Sequence, residues 1–291
     1  MFKFYSILCL LLGVFLCQPS MAEPIHIVAA ENFYGSVAKA IGGSYVQVSS
    51  ILKQPDQDPH LFSVSPSIAK NMGQADLIVF NGLGYDSWMQ SLLSVSTIPA
   101  RTIICVGQLI NKKEGDNPHI WYDPATMPVY AKALLDYLRQ QDPRHQAFYG
   151  ENYQRFMENF NRLTRLIHQI KPRAENIKVI ATEPVFGYMA QALGFDMQGL
   201  GFQLSMMNGV DPSPRQVEAF QNALQTRQVS MLFYNKQVNS LQVQRLLKVA
   251  KAYSIPVIGV TETQPADKTY IEWMTDQLKQ VETVLNARHH I

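Results

Sequence analysis

The sequence is short of the groups that staple or charge a protein. It holds three cysteines in 291 residues, too few for a disulfide framework. Charged residues make up 16% and the formal net charge is +2, which excludes a nucleic-acid binder that works by charge. With 47% hydrophobic residues the chain has ample material for a core, so intrinsic disorder is excluded as well. Sixteen glycines and sixteen prolines follow no short period, and this removes collagen-like and low-complexity readings. No repeat of 20–50 residues is visible. A His-Glu-x-x-His run, the mark of many zinc hydrolases, does not occur.

What the chain has at its start is an address. Lys3 precedes an apolar stretch from Ser6 to Cys17, and Ser20 and Ala22 stand where a signal peptidase needs small residues. The run is about a dozen residues, short of the ~20 a membrane helix needs. Residues 1–22 therefore read as a cleaved signal peptide, and the mature protein as periplasmic. Cleavage after Ala22 removes Cys9 and Cys17 and leaves Cys105 alone, in the apolar run Ile103-Ile104-Cys105-Val106, where it reads as a small buried residue.

The mature chain alternates short apolar runs with longer helical patterns, the signature of an α/β fold. Ile25–Ala30, Tyr45–Leu52, Leu77–Phe80 and Thr102–Val106 read as strands in the first half. Lys178–Thr182, Met231–Tyr234 and Pro256–Val260 do so in the second. Ser65-Pro66 and Asp142-Pro143 have the form of a helix cap followed by a first-turn proline. From Asp142 to Ile170 apolar residues fall at 149, 153, 156, 160, 163, 167 and 170, one continuous helical stripe. About 28 residues at 1.5 Å each make a rod of ~42 Å. Such a rod either crosses one domain or joins two. α/β patterns on both sides of it favour two lobes, residues 23–141 and 172–291, joined by one long rigid helix over residues 142–171.

Seven histidines are present. His26 falls in a strand, His145 and His168 in the long helix, and His289-His290 at the C-terminus, and none of these needs a functional explanation. His60 and His119 have a different context. Asp58-Pro59-His60 and Asn117-Pro118-His119 each place a histidine after a proline, in a loop following a strand. Open α/β sheets bind ligands at that end, and proline limits the freedom lost when an imidazole is fixed on a metal. Asp123-Pro124 reads as another cap.

Together these motifs resemble the zinc/manganese substrate-binding proteins of ABC importers. The likeness rests on Ile41-Gly42-Gly43, Asp58-Pro59-His60, Ala75-Asp76-Leu77-Ile78-Val79 with Asn81-Gly82, Pro118-His119-Ile120-Trp121-Tyr122-Asp123-Pro124 and Phe186-Gly187-Tyr188, in order along the chain. The resemblance implies one metal in the cleft between the lobes, with two ligands from each. The two proline-histidine motifs put the first pair at His60 and His119. The third ligand position, three residues before Phe186, is Glu183. The fourth, after the last strand of the second lobe, is usually Asp and here aligns with Glu262, with Asp267 as the alternative.

Two imidazoles and two carboxylates suit Zn²⁺, and with bidentate carboxylates Mn²⁺. Glu183 and a loop before His119 without histidine lean toward manganese, whereas the Irving–Williams order leans toward zinc. The resemblance further implies capture of the metal and delivery to a membrane permease and its ATPase, with no catalysis. The expected protein is a monomer with no nucleic-acid partner. A secreted metallohydrolase and a surface adhesin on the same fold are the alternatives.

Overall fold

The computed structural model describes residues 23–53, 62, 65–94 and 101–288. The signal segment, the Asp58-Pro59-His60 motif and His289-His290 lie outside the described residues.

The first half contains β1 (Ile25–Glu31), α1 (Asn32–Gly42), β2 (Val46–Leu52), α2 (Pro66–Gly73), β3 (Leu77–Phe80), α3 (Ser87–Ser94), β4 (Thr102–Cys105) and α4 (Val106–Leu109). Next come α5 (Thr126–Gln141) and α6 (Gln146–Ala174). The second half contains β5 (Lys178–Ala181), α7 (Gly187–Ala192), β6 (Asp196–Gln198), α8 (Leu200–Met207), α9 (Pro214–Gln225), β7 (Leu232–Asn235), α10 (Leu241–Ala252), β8 (Val257–Val260) and α11 (Tyr270–Arg288). The strands form two parallel sheets, ordered β2-β1-β3-β4 and β6-β5-β7-β8. Short, apolar central strands suit a parallel sheet whose faces are covered by helices; β3 is buried at every position. The chain is thus two α/β lobes joined by a long helix, and the lobes share one strand order.

That helix, α6, spans 29 residues, ~43 Å at 1.5 Å per residue. It starts later than the Asp142-Pro143 signal indicates. The Asp142 carboxylate accepts hydrogen bonds from His145 Nδ1 (2.6 Å) and the Tyr149 hydroxyl (2.9 Å), and residues Pro143–His145 form a 3₁₀ turn that leads into the helix. It also passes Pro172, which sits in the last turn, where one missing N–H is tolerated more easily than in mid-helix. Tyr149, Phe156, Phe160, Leu163, Ile167 and Ile170 are buried as the stripe requires. Tyr153 is only half-buried, and Asn152 turns inward beside it, donating to Ile41 O (3.0 Å) in the last turn of α1. At Ser65 the cap differs too: Pro66 opens α2, but the Ser65 hydroxyl pairs with Ser67 Oγ instead of a backbone N–H.

The sequence pattern does not single out β6 or α11, and α5 is announced only by Asp123-Pro124, where the Asp123 carboxylate accepts from Ala125 N (2.9 Å) just ahead of Thr126. Both helices pack on α6, and α11 returns from the second sheet to lie along it. The main core is consequently continuous between the lobes, running from Ile27 in β1 through Trp121, Phe160 and Phe186 to Leu285 in α11. Among the described residues no helix is long and apolar enough to cross a membrane.

Candidate metal-binding cleft

In each sheet the strand order reverses beside its first strand, between β1 and β3 and between β5 and β7. The crevice outside the carboxyl ends of strands at such a point is where open α/β sheets take ligands. Ala29 pairs with Val79, and Ala181 with Phe233. Two residues further on, the same register sets Glu31 beside Asn81 and Glu183 beside Asn235. Both lobes thus carry a Glu–Asn pair at the switch point.

In the second lobe the pair organises two acids. Asn235 Oδ1 accepts from Gln237 N (3.0 Å), which orients the amide and aims its Nδ2 at carboxylates. That single nitrogen donates to Glu183 Oε2 (2.7 Å) and Glu262 Oε1 (2.5 Å). Gln237 Oε1 accepts from the backbone N–H groups of Glu262 (2.5 Å) and Thr263 (3.0 Å), fixing the segment after β8. Both acids are buried, at 7% and 5% exposure. Asp267 is exposed, so the position after β8 that faces the crevice is Glu262.

In the first lobe the Asn of the pair, Asn81, holds a loop. Its Nδ2 donates to Pro118 O (2.9 Å), and its Oδ1 accepts from the Tyr34 hydroxyl (2.7 Å). His119 follows directly and is 1% exposed. Asn117 Oδ1 can only accept, and it lies 2.6 Å from His119 Nδ1, so Nδ1 carries the proton and Nε2 is the acceptor nitrogen. Nε2 faces Glu262 Oε2 across the lobe boundary at 3.9 Å. Asn117 Nδ2 reaches over to Pro184 O (2.8 Å), beside Glu183, and Asn117 O accepts from the Tyr188 hydroxyl (3.0 Å).

Tyr85 fills the space between. Its ring lies 6.0 Å from His119, and its hydroxyl feels the charge of Glu262. Burial and the charge of Glu262 push that hydroxyl well above the usual phenol range. The turn carrying Tyr85 is made by left-handed residues, Gly82, Leu83 and Gly84 at φ 78°, 60° and 77°. A Cβ at Gly82 would come within 2.5 Å of Cys105 Sγ, so the turn requires glycine there. Cys105 itself is half-buried and packs against this turn, less enclosed than its apolar neighbours suggest.

Above these groups opens a cleft of about 790 Å³, walled by residues of both lobes that include Asp116, Glu183, Glu262 and Met207. Its described lining contains three carboxylates and no lysine or arginine, an environment that favours a cation. Among the described residues no three His, Cys, Asp or Glu side chains meet as a ready-made metal cluster. The structure brings together His119 and Glu262 directly, and Glu262 and Glu183 through Asn235; His60 lies outside the described residues. Sequence reasoning missed Asn235, Gln237, Asn117 and Tyr85. For Asn117 a signal existed, because an amide precedes both Pro118 and His119. Asn235 gives none until the register of β7 against β5 is known.

Known proteins share the two-lobed architecture. The family described as zinc-uptake complex component A, periplasmic (ZnuA), matches residues 27–284. The chain is 25% identical over 308 residues to the metal ABC transporter substrate-binding lipoprotein SloC of Streptococcus mutans, covering 94% of this chain and 95% of SloC. It is 24% identical over 305 residues to the manganese ABC transporter substrate-binding lipoprotein PsaA of Streptococcus pneumoniae, covering 95% and 96%. The solved structure of the periplasmic zinc binding protein TroA from Treponema pallidum shares the fold, with a TM-score of 0.74, 19% identity, and coverage of 90% of this chain and 99% of TroA.

Proposed function

The chain belongs to the periplasmic zinc-uptake component A family, and we propose that it carries its metal between the lobes on His60, His119, Glu183 and Glu262. It is an extracytoplasmic metal-binding protein that delivers a divalent transition metal, zinc or manganese, to an ABC permease, and it is a transport protein and not an enzyme. The observation that carries the ligand assignment is the approach of His119 Nε2 to Glu262 Oε2, two buried groups from opposite lobes at 3.9 Å. A tetrahedral zinc with ligand bonds of about 2.0–2.2 Å fits between donors slightly closer than this. A small inward shift, with His60 added from its loop, closes the shell.

The ties around the cleft bear on release. Asn32 and Gln264 exchange two hydrogen bonds, at 2.7 and 3.1 Å. Tyr122 donates to Thr261 O (2.8 Å), and Tyr270 donates to Trp121 O (2.8 Å). With α6 behind them these contacts oppose wide opening. In our reading the metal leaves by loosening of the ligand loops and a small tilt of the lobes. We further propose that residues 1–22 are cleaved after Ala22, that 23–141 and 172–291 act as the two lobes about the 142–171 helix, and that the mature protein works as a monomer without nucleic acid.

Competitive titration of the demetallated mature protein with Zn²⁺ and Mn²⁺ tests the assignment, with His60→Ala and Glu262→Ala beside the parent. One tight site per chain, lost in both variants, is expected. A stoichiometric site indifferent to both substitutions would sink the four-ligand cleft. The mass of the exported protein checks the cleavage position.

A further inference from the structure

We propose that Asn235 is a specificity-determining residue: by holding one oxygen of each metal-binding glutamate, it keeps the site four-coordinate and tilts it toward zinc. The inference rests on the ligand assignment above and deepens it. Asn235 Nδ2 has two hydrogens, and both are committed, one to Glu183 Oε2 and one to Glu262 Oε1. The orientation of the amide is enforced, since its oxygen is taken by Gln237 N. Each carboxylate is thereby turned to meet a metal through its other oxygen, and for Glu262 that oxygen, Oε2, is the one facing His119 Nε2.

The coordination arithmetic follows from this arrangement. Two imidazoles and two monodentate carboxylates make four donors, a complete tetrahedral shell for Zn²⁺. Mn²⁺ favours a larger, oxygen-rich shell and gains if both carboxylates become bidentate. That change requires Glu183 Oε2 and Glu262 Oε1 to leave the amide. The same amide offsets the repulsion between two buried carboxylates before metal arrives, because its N–H groups present partial positive charge to both. Asn235 thus assembles the pair and limits how the pair can coordinate. It is a positioning residue, acting on the metal only through the two glutamates.

Asn235→Ala removes the donor. The zinc-over-manganese preference, measured by competition, is expected to fall by about tenfold or more, with most of the loss on the zinc side. Co²⁺ supplies a readout that a merely structural role would not move: intense visible absorption of a four-coordinate ion in the parent, and the weak bands of a five- or six-coordinate ion in the variant. Should Asn235→Ala fail to fold, Asn235→Leu keeps the shape without the donor and is expected to show the same change in Co²⁺ spectrum. An unchanged preference with an unchanged Co²⁺ spectrum overturns the inference. His119→Ala and Glu262→Ala separate this failure from failure of the ligand assignment: if they leave the stoichiometric site intact, the assignment itself is wrong, whatever Asn235 does.

Discussion

A single amide decides which nitrogen of His119 carries the proton and which is the acceptor. Asn117 accepts from the ring at 2.6 Å and from the His119 backbone N–H at 3.1 Å, so the imidazole arrives with its tautomer and rotation set. Asn117→Ala should lower metal affinity by about 10–100-fold, the usual cost of losing such a partner, while Asn117→Asp, which keeps the acceptor, should recover most of it. Competitive titration reads both; an alanine variant that binds like the parent would remove the tautomer argument. Glu31, which stands at the register position in β1 that Glu183 occupies beyond β5, has gone another way. It is enclosed, and burial followed by the charge of Asp86 drives its carboxyl well above the ordinary range. Burial also lifts Asp86, from 3.8 to about 6. Asp86 accepts from the backbone N–H groups of Asn81 (2.6 Å) and Gly82 (2.8 Å), which favours its anion and leaves the proton of the pair on Glu31. Both folded-state values exceed the unfolded ones, so the folded protein holds more protons in this window. Stability from the pair is therefore present at low pH and lost as pH rises, through about 6 for Asp86. Thermal melts of Glu31→Gln against the parent should coincide near pH 4 and separate in the variant's favour by pH 8; a constant offset would refute the shared proton. None of this was legible in the sequence beyond Asp58-Pro59-His60 and Asn117-Pro118-His119. Histidines flagged by proline declare themselves locally, whereas Glu31, Asp86, Asn81 and Asn235 acquire meaning only when a parallel register sets strand ends side by side.

Elements differ in how openly their sequences state them. The strands are apolar runs of four to seven residues, and α6 carries an unbroken stripe, so both read directly from hydrophobic spacing. By contrast, β6 is three residues long and joins its sheet only through pairing with β5. The start of α6 is set by side-chain bonds from His145 and Tyr149 to Asp142, which no periodicity reports. Helix α11 matters beyond its own lobe. Tyr270, at its first position, donates to Trp121 O, and Trp273 one turn on donates to Thr261 Oγ1 (3.1 Å), just ahead of Glu262. Tyr122 completes the set from the first lobe. Tyr122→Phe and Tyr270→Phe each strip one buried hydrogen bond and leave a carbonyl unpaired, at a cost of about 1–3 kcal/mol in chemical denaturation. Phe160→Ala, in the middle of the α6 stripe, should cost more, about 3–5 kcal/mol, because it opens a cavity in the shared core. If the tyrosine variants match or exceed the phenylalanine variant, polar ties between the lobes outweigh the core they lie on.

At the scale of the whole molecule, two lobes with separate sheets behave as one folding unit if their cores are joined, and here they are. The main core passes from β1 through α5 and α6 into β5, β7 and α11 without interruption. Trp121 stacks on Phe33 at 4.6 Å in the first lobe, and Tyr122 meets Phe186 from the second at 5.4 Å and Trp273 of α11 at 5.6 Å. An aromatic belt therefore runs directly beneath the metal cleft. Separate unfolding of either lobe would expose that belt, so the apoprotein should melt in one transition, with far-ultraviolet dichroism and tryptophan fluorescence coincident. With the proposed donors drawn from both lobes, metal should displace the single transition upward as a unit. At a free concentration 100 times the dissociation constant the added stability is about 2.7 kcal/mol. Acidification should erase that increment, since imidazole must be neutral to coordinate. Below neutral pH the holo and apo melts should therefore converge. Two resolved transitions in the apoprotein, or a metal shift confined to one of them, would mean that the lobes fold independently and that the cleft is assembled by docking instead of by a common core.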